Sequence, residues 1–344
     1  MPRIIFRGRR LAAMLCGAFV ALSACAAPAA QGGAPSATAT AWLGTQRYLV
    51  YSGQSSGVYS IGWSPDGREI ASGSIDAQVW DARTGKTLTT YSAHGSADFV
   101  FAMAWSPSGR EIATGSGRAM RPSTDHTARI WNPTSGQTLL TYRGHAEAVL
   151  ALAWSPDGKY LATGSKDDTV QVWDATTGRL ITTYRGHSGT IWTVAWSPDG
   201  SRVASGSEDD TVQVWNPTTG RAIVTYRGHT SPIYGVSWSH DSKRIASGGV
   251  DDTVQVWDAA SGRTILTYRG HIGAVWATAW SLGDARIASG GADSTVQIWN
   301  ATTGAPLFTY RGHSATVTCL AWSPDGQRIA SGSSDGTAQV WQAK

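Results

Sequence analysis

The sequence predicts an all-β fold: seven four-stranded antiparallel sheets around a common axis, the last completed by a strand from the N-terminal end. Three observations carry this. The stretch TYRGH recurs with its tyrosine at 142, 184, 226, 268 and 310, always 42 residues apart, and degenerate copies at Tyr91 and Tyr51 make seven units. Glycine (40 residues) and tryptophan (17) are abundant while charged residues are only 15%, a composition of short strands and tight turns rather than helices. The last unit ends one strand short, and a spare strand-like segment, QRYLVY (46–51), precedes the first.

The chain opens with a segment of another kind. MPRIIFRGRR is basic, and LAAMLCGAFVALSA after it is fourteen largely apolar residues. That is short for a membrane span and fits a signal peptide over residues 1–24. LSAC, ending at Cys25, resembles the bacterial lipobox. The resemblance implies export, lipidation of Cys25 and anchoring to a membrane, in the periplasm or on the outer cell surface. Ala26, where an Asp would favour inner-membrane retention, favours the outer membrane. Cleavage at the A-x-A site of residues 24–26, giving a secreted protein, and an uncleaved anchor are the alternatives. Residues 26–44 are uncharged and rich in Ala, Pro, Gly, Ser and Thr. With Cys25 they form a flexible tether over 25–44, of reach about 20–25 Å, and the folded domain spans 45–344.

Charge excludes one class of partner. Arg3, Arg7, Arg9 and Arg10 are all the charge of the first 25 residues; removing them from 28 basic residues leaves 24 against 24 acidic ones. The body is formally neutral, which is no footprint for nucleic acid. Of three cysteines, only Cys319 lies in the domain, in an apolar strand, where it reads as a buried, inert thiol.

The fourth unit shows the strand plan. Residues 191–196 (IWTVAW) form strand a, SPDG a turn, RVASGS strand b, EDD a tight turn, TVQVW strand c, NPTTG a turn and AIVTY strand d. Four strands per unit bury both faces only by stacking sheet on sheet, and radial stacking does so without a long open edge. GH…SPDG…SGSEDDTVQVWN and its sister TGSKDDTVQVWD resemble the WD-repeat β-propeller family over residues 46–344. The seventh unit stops just after strand c, and QRYLVY aligns with strand d of the others, so it completes the seventh sheet. Fourteen tryptophans fall at the ends of strands a and c and read as core; Trp42, Trp192 and Trp276 are extra.

A hydrolase-like His/Ser/Asp set, always with a Trp, occurs in six units. The sets are His94, Thr114, Asp125, Trp131; His145, Thr163, Asp167, Trp173; His187, Ser205, Asp209, Trp215; His229, Ser247, Asp251, Trp257; His271, Ser289, Asp293, Trp299; and His313, Ser331, Asp335, Trp341. The family resemblance implies a structural hydrogen-bonded tetrad. The physics agrees: this chain of donors and acceptors pairs all four groups, and a nucleophile has no reason to appear six times. No catalytic residue, metal ligand or cofactor site is expected. His126 and His240 read as lone loop residues without metal-ligand spacing.

Departures from the repeat locate the candidate partner site. Unit one has Gln54 in place of the histidine and a b–c turn two residues shorter. Unit two has seven extra residues in its b–c loop, around Arg118, Met120 and Arg121, and two in its d–a loop, next to Phe99. In this fold the d–a and b–c loops share one face, the top. The second residue of strand a is Tyr59, Phe101, Leu150, Trp192, Tyr234, Trp276 and Thr318, five of them aromatic. These aromatics read either as packing between blades or as a rim for a peptide or another apolar ligand. Units five and six replace SPDG by SHDS and SLGD on the opposite face, which reads as drift. Five arginines of YRGH read as solvated or paired with turn carboxylates.

The expected function is a non-catalytic, monomeric, membrane-tethered scaffold that binds a protein or peptide on its top face. The alternative is a small-ligand or catalytic propeller working in its central channel, which needs a unique set of convergent polar residues rather than repeated ones.

Overall fold

The computed structural model describes residues 41–43, 46–95, 98–117 and 125–343, with side chains from residue 49 onward. Cys25, the signal segment and residues 26–40 of the tether lie outside the described residues. So do Arg118, Met120 and Arg121.

Blade 4 sets the pattern. Strand a, Ile191–Trp196, pairs antiparallel with b, Val203–Ser207; b pairs with c, Val212–Trp215; and c pairs with d, Ala222–Tyr226. The SPDG turn works as its residues dictate. The Ser197 hydroxyl donates to the Asp199 carboxylate at 2.6 Å, and Gly200 takes φ 72°, where a side chain would be strained. Seven sheets repeat this order. Strand a is innermost and packs on strand a of both neighbours around the ring, from Ser60–Trp63 of blade 1 to Val317–Trp322 of blade 7 and back.

The ring closes as the spare strand predicts. Gln46–Tyr51 pairs with Ala338–Gln342, Tyr48 lying opposite Trp341 and Tyr51 opposite Ala338. Ala41–Leu43, within the stretch read as tether, adds a fifth strand outside it, with Ala41 opposite Tyr48.

The core lies between blades. One cluster joins Ala162, Val170 and Val172 of blade 3 to Ile191, Val194 and Trp215 of blade 4. The strand-c tryptophans are at most 1% exposed. Burying one indole side chain removes roughly 150–250 Å² from water, about 4–6 kcal/mol at 25 cal/mol per Å². Five of the seven strand-a tryptophans are buried as expected, whereas Trp196 and Trp322 are only half-buried. Gly206 shows why each strand b carries glycine. A Cβ there would sit 2.7 Å from Ile233 Cγ2 of the next blade, so a side chain would push the blades apart.

Candidate functional site

The six repeated sets converge as tetrads, and five are complete. In blade 4, His187 Nδ1 lies 2.9 Å from the Asp209 carboxylate and Nε2 2.8 Å from Ser205 Oγ, while Trp215 Nε1–H donates to that Oγ at 3.2 Å. The chain runs indole N–H to hydroxyl, hydroxyl to imidazole, imidazole N–H to carboxylate. It ties the d–a loop to strands b and c. Blades 3, 5, 6 and 7 repeat it through Thr163, Ser247, Ser289 and Ser331. Ser205 is fully buried, so this hydroxyl has no path to a substrate.

Burial alone would raise the Asp209 carboxyl. Hydrogen bonds from His187, Thr211 and the Ser188 N–H outweigh it and hold the group well below the usual carboxylate range. Asp125, Asp167, Asp251 and Asp335 are lowered in the same way, and Asp293 is pulled down to about 2. In Cys319 burial dominates and pushes the thiol up to about 12, consistent with an inert group.

A second staple was missed by sequence reasoning. Tyr184, which ends strand d of blade 3, stacks on Trp215 of blade 4 with centroids 4.6 Å apart, and its hydroxyl donates to Gln213 Oε1. Gln213 Nε2–H donates to the Gly186 carbonyl at 3.1 Å. The signal was in the sequence, since YRGH and the VQVW glutamine recur together. Blade 2 carries Arg129 instead, whose guanidinium reaches the Ala93 carbonyl at 2.6 Å and Asp125 at 3.2 Å. The five YRGH arginines are exposed and form no ion pair among the described residues, so of the two expectations the solvated one describes them.

Blade 2 departs from its expected tetrad. His94 bonds Asp125 and Thr114, both at 2.8 Å, but the buried Trp131 indole N–H has no acceptor. In blade 1, Gln54 Nε2 donates to Ser72 Oγ at 2.6 Å, Trp80 Nε1 donates to the same oxygen at 3.0 Å, and Gln54 Oε1 is left buried without a donor.

The rim residues share a backbone cause. In blade 4, Ile191 lies opposite Ser207 and Thr193 opposite Gly206, so Trp192 is the extra residue of a β-bulge. Phe101, Leu150, Tyr234, Trp276 and Thr318 occupy the same bulge. A bulge breaks the two-residue alternation and re-aims one side chain, here near the top of strand a. The aromatics form two arcs. Tyr59 meets Phe99 at 5.3 Å and Phe101 at 5.0 Å; Trp192 meets Tyr234 edge-on at 5.2 Å, and Tyr234 stacks on Trp276 at 4.2 Å. Each is partly buried, which combines packing between blades with an accessible surface. Leu150 is buried, and Thr318 bonds the Val58 carbonyl instead of joining an arc. Ile272 stands on the same face at 84% exposure, where the other units have Ser, Ala, Gly or Thr.

The opposite face is corrected. His240 is not a lone loop residue: its Nδ1 and backbone N–H lie 2.9 and 2.8 Å from Asp284 Oδ1 of blade 6. Ser242 and Asp284 occupy the glycine place of SPDG, both at φ 59°, and each serves the neighbouring blade. Ser242 Oγ accepts the Asp199 N–H at 3.1 Å, and its carbonyl accepts from Arg202. SHDS and SLGD thus meet across the boundary between blades 5 and 6, and SHDS also bonds blade 4.

Among the described residues no group of three or more His, Cys, Asp or Glu side chains is arranged to hold a metal ion. The ring of stapled sheets defines a seven-bladed β-propeller. The chain matches the family WD domain, G-beta repeat, at residues 45–81, 85–132, 136–174, 178–216, 220–258, 262–300 and 304–342, and it belongs to that WD40 repeat family. Propellers of this family are generally protein-interaction scaffolds. A comparison with curated proteins returned no match.

Proposed function

We propose that this propeller is a non-catalytic scaffold, exported and tethered to a membrane through Cys25, that holds a protein or peptide partner on its top face. One observation carries the binding site: the partly accessible side chains of the strand-a rim on the top face are mostly aromatic, whereas the repeated polar side chains of the tetrads are consumed in staples. Aromatic groups with open faces are the side chains that most often supply binding energy. The inserted loop around Arg118, Met120 and Arg121 belongs to the same proposal, as does the arc of Tyr59, Phe99 and Phe101. The test is crosslinked co-purification from membranes, with the full chain compared to a variant lacking 118–124 and to Trp192→Ala with Trp276→Ala. Loss of the captured partner in these variants, but not in Leu282→Ala on the opposite face, supports the reading. Capture unaffected by top-face changes and lost with Leu282 overturns it. For the tether, Cys25→Ser should abolish fatty-acid labelling and membrane retention, and a labelled, membrane-bound variant would refute it.

A further inference from the structure

The arc on blades 4 to 6 differs from the one on blades 1 and 2 in what lies beside it. Glu208 opens the b–c turn of blade 4, and its backbone N–H bonds the Thr190 carbonyl at 2.9 Å, two residues ahead of Trp192. Its charge reaches the Tyr234 phenol, which burial first and Glu208 second push upward. Asp168, in the matching turn of blade 3, is raised by burial and then by Asp167, Glu208 and Asp209, with His187 opposing, so the carboxylates repel one another. The tetrad satisfies Asp167 and Asp209. The side chains of Glu208 and Asp168 have no hydrogen-bond or ion-pair partner among the described residues, and Lys166, the blade 3 counterpart of Glu208, pairs with neither.

The molecule shows elsewhere what its indoles accept. Arg202 lies over Trp238 at 4.8 Å, Arg244 over Trp280 at 4.6 Å, Arg286 over Trp322 at 5.0 Å and Arg328 over Trp63 at 4.6 Å, each across a blade boundary. Trp192 and Trp276 have no such cation. Two indoles and a phenol present the π faces that attract a cation, and the unpaired carboxylates of the b–c turns on the same face supply the charge that retains it.

We propose that Trp192, Tyr234 and Trp276, with Glu208 and Asp168 in the b–c turns of blades 4 and 3, receive an arginine or lysine side chain from an extended basic segment of the protein partner. This rests on the scaffold reading and gives the partner its chemistry. The aromatic faces contribute contact area, and the carboxylates select charge against a neutral side chain of the same shape.

The experiment uses the full chain in detergent on arrays of random heptapeptides whose central residue is arginine, lysine, citrulline or leucine. Arginine or lysine arrays should bind about tenfold more strongly than citrulline or leucine arrays. Glu208→Gln with Asp168→Asn should erase that preference while melting at the wild-type temperature, since neither side chain supports the fold. Trp276→Leu should weaken binding to every array. Equal binding to citrulline and arginine, no binding to any array, or a preference that survives the double carboxylate change overturns the proposal. Partner capture separates this failure from that of the scaffold: a crosslinked partner indifferent to the double change removes the cation site and leaves the platform, whereas no captured partner removes the platform.

Discussion

Blades 3 to 7 and blades 1 and 2 are written in the same repeat, yet their buried polar groups fare differently. In blade 4 Ser207 Oγ donates to the Gly189 carbonyl at 2.8 Å, and Ser165 and Ser333 do likewise in their own blades. The equivalent Ser74 and Ser116 are buried without a partner. Strand-a tryptophans of six blades donate to a carbonyl of the preceding blade, as Trp196 does to Ala153 at 3.1 Å, whereas Trp105 finds none. Gln54 Oε1 and Trp131 Nε1 fare the same way. Outside blades 1 and 2 only Trp192 Nε1 is similarly orphaned among the described residues. The other orphans fall in the two blades whose d–a or b–c segments differ in length from the repeat. An orphaned buried group costs roughly 1–3 kcal/mol. Blades 1 and 2 are thus the least stable arc of the ring, and local opening is expected there first.

Four perturbations probe this contrast. The largest effect attacks the regular side of the ring. Deleting residues 46–51 removes strand d of blade 7 and leaves Ala338–Gln342 as an open edge, so the protein should aggregate and lose cooperative unfolding. A soluble, cooperatively melting deletion variant would show that closure does not depend on this strand.

Next comes a pair of side chains. Asp209→Ala strips His187 of its carboxylate and should lower stability by roughly 1–3 kcal/mol, whereas Gln54→Ala removes a group already half-unsatisfied and should cost less than about 1 kcal/mol. Urea unfolding of the two variants decides it, and equal losses would erase the distinction between the arcs.

Acid offers a milder probe. A carboxyl held below its unfolded range stabilises the fold above that range, and the contribution fades as pH falls through the folded value. For Asp293 that window runs from 3.8 down to about 2. Asp293→Asn should therefore flatten the loss of stability between pH 4 and pH 2, seen as melting temperature against pH. An unchanged slope would mean that this carboxylate carries none of the acid response.

The smallest contrast concerns one hydrogen. Trp215→Phe loses the bond to Ser205 and should cost about 1 kcal/mol more than Trp131→Phe, whose indole N–H has no acceptor to lose. Matched calorimetric melts that fail to separate the two would indicate that Trp131 is bonded in solution.

Much of this was legible before any coordinates. The 42-residue spacing, the SPDG turns and the missing last strand gave the blade count, strand order and closure, because each is a local pattern repeated often enough to read against itself. The tetrads were legible for the same reason in five blades. The Tyr–Gln–Gly staple was missed although its residues recur, because Tyr184 and Gln213 belong to different blades and nothing local joins them. His240 and Asp284, 44 residues apart, were likewise read as unrelated loop changes.

By itself the sequence determined the ring: period-two strands, turn residues with the right backbone freedom, and a hydroxyl, imidazole, carboxylate and indole at fixed offsets. Only the tertiary structure decided which of those groups lose their partners, because each bond joins segments that meet only when the blade and its neighbour have folded. It also decided where the rim aromatics point. Trp192, Tyr234 and Trp276 look like ordinary second residues of a strand. The bulge that re-aims them arises in pairing with strand b, and the stacking of Tyr234 on Trp276 arises only when adjacent blades meet around the axis.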